Sequence, residues 1–186
     1  MIISISGVPG SGKTSAAKLL AKKLGMNFYS MGGLRGKMAL ERGMTIAELN
    51  TLGEQGAFTD TTVDDYQREL GKKEDNFVIE GRLSWYFIPH SFKVLLICDP
   101  HEAARRIFES RKITHHERPD EPDYQTIEEA GLSRDERVQS DLIRYQKYYG
   151  VDYRDPSHYD VVINTTHNQG PEQTTEQILQ ALNHET

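Results

Sequence analysis

The sequence predicts an α/β protein: a mostly parallel five-stranded sheet with helices on both faces, in three layers. Two observations carry that prediction. Short apolar runs alternate with helical periodicity along the chain, the pattern of parallel strands joined by crossover helices. The first of these runs leads directly into a glycine-rich turn and then an amphipathic segment, as in a strand–loop–helix unit.

The elements follow in order. Strands are expected at Ile2–Ser6, Asn27–Ser30, Phe77–Glu80, Val94–Cys98 and Val161–Asn164. Between the first two, Ser11–Leu24 places Ala16, Leu20 and Leu24 on one helical face, with Gly25 set to end it. Thr45 with Glu48, and Ser133 with Glu136, have capping-box spacing and are expected to open two further helices. Pro171, followed by Ile178, Leu179 and Leu182, marks a final helix with proline in its first turn. From Lys112 to Leu132 apolar periodicity nearly vanishes. That stretch reads either as a solvated loop or as a mobile cover over a site.

Composition bounds the function. The chain has 186 residues, 37% hydrophobic and 27% charged, which suits one soluble domain with a proper core. A net charge of −6 argues against a sequence-blind grip on nucleic acid. One cysteine, Cys98, forms no internal bridge, no apolar run is long enough for a membrane helix, and the opening residues alternate like a strand rather than an export leader. The expected address is the cytoplasm, and the expected state a monomer.

Gly7, Val8, Pro9, Gly10, Ser11, Gly12, Lys13 and Thr14 match G-x-x-x-x-G-K-[ST], with a strand before and a helix after. The chemistry requires this order. Backbone N–H groups must curl around a polyphosphate, and the next helix aims its unpaired N–H groups, Ser15 included, at the same anion. Lys13 supplies a point charge for the β- and γ-phosphates, and the Thr14 hydroxyl is placed to ligate Mg²⁺. A nucleoside triphosphate is the implied ligand. A guanine-specifying N-K-x-D is missing where the last strand runs into Asn164, Thr165, Thr166 and His167. A small phosphotransferase fits best.

Two strand-end acids compete to support the metal, Glu80 and Asp99. Glu80 is favoured because Gly81 and Arg82 follow it, setting a guanidinium fork beside the carboxylate at a strand's carboxyl end. Further on, Val138, Leu142, Tyr145 and Tyr149 form a core stripe, and Arg137, Asp141 and Arg144 a second stripe about 100° around the same helix. The second stripe reads either as a phosphoryl clamp or as ordinary intrahelical ion pairs. Arg105, Arg106, Arg111 and Lys112 form a basic cluster that reads as a solvated face or an anion site. Adjacent His115 and His116 with Glu117 are not expected to bind metal.

The P-loop, the Glu-Gly-Arg strand end and the R-x-x-x-D-x-x-R helix together resemble the short-form cytidylate kinases within the nucleoside monophosphate kinases. The likeness runs from Met1 to about Leu182 and includes Tyr29 to Arg35, Glu41 to Thr45, Val63 to Gln67 and Tyr159 to Thr165. It implies a P-loop kinase domain over 1–186, with its core at 1–111 and 150–186 and a lid with its helix at about 112–149. It also implies transfer of the ATP γ-phosphate to CMP or dCMP. The other classes in view are a small P-loop kinase with another nucleotide or a metabolite hydroxyl as acceptor, and a non-catalytic nucleotide-binding regulator. By resemblance, Lys13, Arg82, Arg137 and Arg144 are the catalytic cations, and Arg106 and Arg111 join the ATP site. Ser30, Gly32, Arg35, Asp64, Gln67, Arg82 and Asp141 would bind the acceptor. Asp64 accepting from the cytosine N4 amine, with the Gln67 amide donating to N3, is one way to read the base; a solvated helix face is the other. Many relatives carry arginine where this chain has Gly36, so the phosphate contact there must come from Arg35 or be missing.

Overall fold

The computed structural model describes residues 1–56, 58–114 and 119–184. Five strands, β1 (Ile2–Gly7), β2 (Asn27–Ser30), β3 (Phe77–Glu80), β4 (Phe92–Ile97) and β5 (Val161–Asn164), form one sheet in the order β2-β3-β1-β4-β5. Every neighbouring pair is parallel, so the sheet is wholly rather than mostly parallel. All five expected strands form; the fourth starts at Phe92 and ends before Cys98.

The crossovers are helical, as parallel pairing demands. They are α1 (Lys13–Leu24), α2 (Met31–Glu41), α3 (Ile46–Gln55), α4 (Phe58–Lys73), the single turn α5 (Ser84–Phe87), α6 (Pro100–Thr114), α7 (Ile127–Tyr149) and α8 (Pro171–His184). β1 alternates Ile3 and Ile5 toward one face and Ile2 toward the other, and each side seeds a core. Ile3, Ile5, Val78, Val94 and Leu96 pack against Ala16, Ala17 and Leu20 of α1 and Ile178 of α8. Ile2, Phe77 and Ile79 pack against Met38 of α2, Leu49 of α3 and Val63 and Leu70 of α4. No helix among the described residues is long and apolar enough to cross a membrane.

The capping box at Thr45 forms, with both reciprocal hydrogen bonds present. The one expected at Ser133 does not open a helix. α7 starts at Ile127, where Thr126 caps it by accepting from Glu129 N–H at 3.1 Å. Thr126 with Glu129 has the same spacing as Ser133 with Glu136, and packing decides between them. Ala130 is fully buried and Gly131 lies close to Ala104 of α6, so the helix gains contact by starting early. Ser133 instead meets the Tyr124 hydroxyl at 3.1 Å. With α6 continuing to Thr114, the expected cover shrinks to the residues between α6 and α7, of which 119–126 are described. The histidine pair lies outside the described residues.

Candidate active site

The site forms at the carboxyl ends of β1 and β3, where the strand order reverses and loops diverge. The loop after β1 needs glycine at two points. Gly10 has φ +81°, and a Cβ there would sit 2.5 Å from the Ala103 carbonyl of α6. Gly12 caps α1 in the left-handed region at φ +84° and brings no side chain to the first-turn N–H groups, which leaves them for an anion. Lys13 is buried and folds back to donate to the Val8 carbonyl at 3.2 Å. Burial and the neighbouring Arg82 lower its pKa to about 7, with Arg137 adding to the fall and Glu80 and Asp141 opposing it.

Glu80 is the acid brought to this loop. Its backbone is level with Ser30 on one side and Ile5 on the other. One carboxylate oxygen accepts from both the Ser30 hydroxyl and the Thr14 hydroxyl, the latter at 3.3 Å. Asp99 is used elsewhere: its carboxylate caps α6, accepting from the His101 and Glu102 N–H groups at 3.0 and 3.1 Å. A hydroxyl beside one carboxylate is a pair that could hold Mg²⁺ together with phosphate oxygens and water.

A cavity of about 900 Å³ opens over the loop, walled by α6, α7 and the turn before α8. Arg106 lines it, but its guanidinium donates to the carbonyls of Thr165, Thr166 and Asn168 and to Glu102, so it ties that turn to α6. Arg111 pairs with Asp123 at 2.8 Å and donates to the Glu121 carbonyl at 2.6 Å, holding the 119–126 segment against the cavity. Arg137 reaches the Glu121 carboxylate at 3.1 Å. Arg134 also lines the cavity, one turn before Arg137. It was missed because the misplaced capping box put it in a helix's first turn; the signal was there, since residues 134, 137, 141 and 144 extend one stripe by three, four and three.

A narrow slot of about 50 Å³ adjoins the cavity, and Gly32, Asn50, Glu80, Arg82 and Arg137 line both. Beneath it runs a buried chain of alternating charge: Arg35 pairs with Asp60 at 2.9 Å, Asp60 with Arg144, Arg144 with Asp141, and Asp141 with Arg82. Burial works against the charges on Arg82 and Arg144, and their carboxylate partners outweigh it, so both pKa values rise. The Arg82 guanidinium also lies over the Tyr153 ring, 5.8 Å from its centroid.

Arg144 is placed differently from the expectation. It is fully buried, bridges Asp60 and Asp141, and lines neither the cavity nor the slot. Here the ion-pair reading of the stripe is realised for Asp141 and Arg144, while Arg137 faces the cavity. Asp60 was not singled out in the sequence, although residues 60, 64 and 67 share one helical face. Asp64 accepts from the Tyr149 hydroxyl and Gln67 from the Ser84 hydroxyl, and both Asp64 and Gln67 line the slot. Gly36 lies apart from the slot: a Cβ there would be 2.6 Å from the Asp120 carboxylate, so the place of a side chain is taken by the 119–126 segment.

A model of the cytidylate kinase-like family matches residues 2–167. The cytidylate kinase of Methanocella arvoryzae is 39% identical over 166 residues, 89% of this chain and 88% of that protein. The cytidylate kinase of Methanobrevibacter smithii is 32% identical over 182 residues, 98% of each. Among solved structures, shikimate kinase from Bacteroides thetaiotaomicron superposes with a TM-score of 0.63 at 18% identity, covering 98% of both chains, a likeness of fold.

Proposed function

The chain belongs to the cytidylate kinase-like family, and we propose that it transfers the γ-phosphoryl group of ATP to CMP or dCMP, giving ADP and the nucleoside diphosphate. The observation that best supports this is the pair of adjoining spaces with Arg82 and Arg137 in their shared wall. One is built for a triphosphate tail; the other is a separate, cation-floored slot for a second phosphate.

In this reading an oxygen of the acceptor phosphate attacks the γ-phosphorus as the bond to the β–γ bridging oxygen breaks, and ADP leaves. The protein supplies alignment and positive charge. The loop amides and the first turn of α1 hold the β- and γ-phosphates, and Lys13 leaves the Val8 carbonyl to meet them. Arg82, in the wall shared by both spaces, takes the acceptor phosphate. Arg137, with Arg134 beside it, reaches the transferring group once Glu121 yields. Arg35 and Asp141 complete the acceptor site, and Arg144 holds Asp60 and Asp141 from below. Thr14 and, through water, Glu80 would hold Mg²⁺, which when bound neutralises the β- and γ-oxygens. The 119–126 segment and α7 exclude the water that would hydrolyse ATP.

An acceptor panel of CMP, dCMP, UMP, AMP and GMP, read by coupled ADP release, tests the assignment. CMP or dCMP should give the highest kcat/KM. Strong AMP preference overturns the acceptor, and ATP binding without acceptor-dependent ADP release overturns catalysis.

A further inference from the structure

We propose that Tyr149 and Ser84 are positioning residues that set the choice between an amino and an oxo pyrimidine, by fixing the hydrogen-bonding polarity of Asp64 and Gln67. The proposal rests on the pyrimidine-nucleotide reading above. Asp64 and Gln67 stand three apart on α4, are both buried, and both line the slot. Each is held from behind by a different element. The Tyr149 hydroxyl, from the last turn of α7, donates to Asp64 Oδ2. The Ser84 hydroxyl, from α5, donates to Gln67 Oε1 at 2.6 Å.

These two bonds decide what the slot offers. With its carbonyl oxygen engaged by Ser84, Gln67 presents its NH₂ group, a donor. With Oδ2 engaged by Tyr149, Asp64 turns its other oxygen, Oδ1, to the slot as an acceptor. An acceptor beside a donor complements the amino group and ring nitrogen of cytosine. Uracil inverts both positions, offering a carbonyl oxygen and an N–H. Adenine has cytosine's order, so these two residues separate amino from oxo bases and leave ring size to the slot walls.

A carboxylate in this setting is also sensitive to protonation. Burial pushes the Asp64 carboxyl up to about 7; Asp60 on its own helix pushes the same way. Tyr149 of α7, Arg68 of α4 and Arg35 of α2 pull it down. Once protonated, Asp64 offers an O–H to a uracil carbonyl, so selectivity for CMP should weaken below that pH.

The test measures kcat/KM for CMP and for UMP between pH 6 and 9, at saturating MgATP, in wild type, Tyr149→Phe, Ser84→Ala and Asp64→Asn. Phenylalanine retains the ring contacts with Tyr86 and Phe87, and Ser84 lies on another element, so no single folding defect explains a shared result. Wild type should favour CMP more as pH rises through about 7. Tyr149→Phe and Ser84→Ala should each lower the CMP:UMP ratio on the order of tenfold at pH 8 without moving the KM for ATP. Tyr149→Phe should displace the transition to higher pH, and Asp64→Asn should lower the CMP:UMP ratio and remove its pH dependence. A wild type that prefers CMP, with both positioning variants keeping its ratio across the range, overturns the inference and leaves the kinase reading intact. A wild type that phosphorylates neither pyrimidine overturns both.

Discussion

Asp60→Asn is the most telling single change. Its carboxylate serves both Arg35 and Arg144, and Arg144 has no exposed surface through which water could compensate the loss. Asp141 is already shared between Arg144 and Arg82. The chain of three arginines and two aspartates therefore passes from a surplus of one positive charge to two. Removing one partner of a buried pair costs about 3–5 kcal/mol, because the stranded charge, more than the lost attraction, sets the penalty. In a domain of this size that lowers Tm by roughly 10 °C. Thermal unfolding followed by circular dichroism measures it, together with Arg144→Met and the double variant. The double variant should be less destabilised than the two single losses added, since it removes the stranded cation along with its partner. In steady-state kinetics, the KM for CMP should rise while that for ATP holds, because Arg35 loses its charged partner and keeps only Asn50 and Thr59. A loss below about 1 kcal/mol in Asp60→Asn, or strict additivity in the double variant, refutes the reasoning that this chain is one electrostatic unit.

Lys13→Ala should reduce kcat/KM by about 10²–10³, the scale of losing one preorganised charge at a transition state, in the coupled ADP assay. The same lysine makes nucleotide binding proton-linked. With its pKa lowered to about 7, Lys13 is mostly neutral at pH 8, and a bound triphosphate restores the charge. About one proton should be taken up at pH 8 and almost none at pH 6, seen as buffer-dependent heats in MgATP titrations; heats independent of buffer at pH 8 would contradict it. Gly36→Ala should push the Asp120 carboxylate off α2 and loosen the 3.0 Å bond from Ile46 N–H to the Asp120 carbonyl. Faster amide exchange at Ile46, with exchange in β1 unchanged, is the expected signature.

Local signals were the legible ones. The five strands show as short apolar runs, the phosphate loop as glycines and Lys-Thr between a strand and a helix, and the Thr45 box as a reciprocal pair three residues apart. Glu80 and Arg82 were legible because a strand end fixes where its last side chains emerge. What escaped depends on partners far along the chain. Asp60 reads as one more polar residue on a solvated helix until Arg144, 84 positions later, is brought against it. The start of α7 was ambiguous because two identical capping signals stand seven residues apart, and only the burial of Ala130 and the approach of Gly131 to Ala104 of α6 select the first. That choice hid Arg134 and made residues 127–132, the start of the helix, look like part of a loop. The stripe of Arg137, Asp141 and Arg144 was visible, but its division into a cavity-facing arginine and a buried one depends on α4.

The 23 residues of α7 make a rod about 34 Å long. Its first half carries Arg134 and Arg137 over the larger cavity; its second half carries Asp141 and Tyr145 along the slot, with Tyr149 bonded to Asp64. Both groups ride on one continuous helix. A shift of its second half on admitting a base would carry the arginines with it, and drawing the arginines down on ATP would move the walls that grip the base. The two substrates should thus bind synergistically, each raising the other's affinity by the same factor, with a single helix as the transmission.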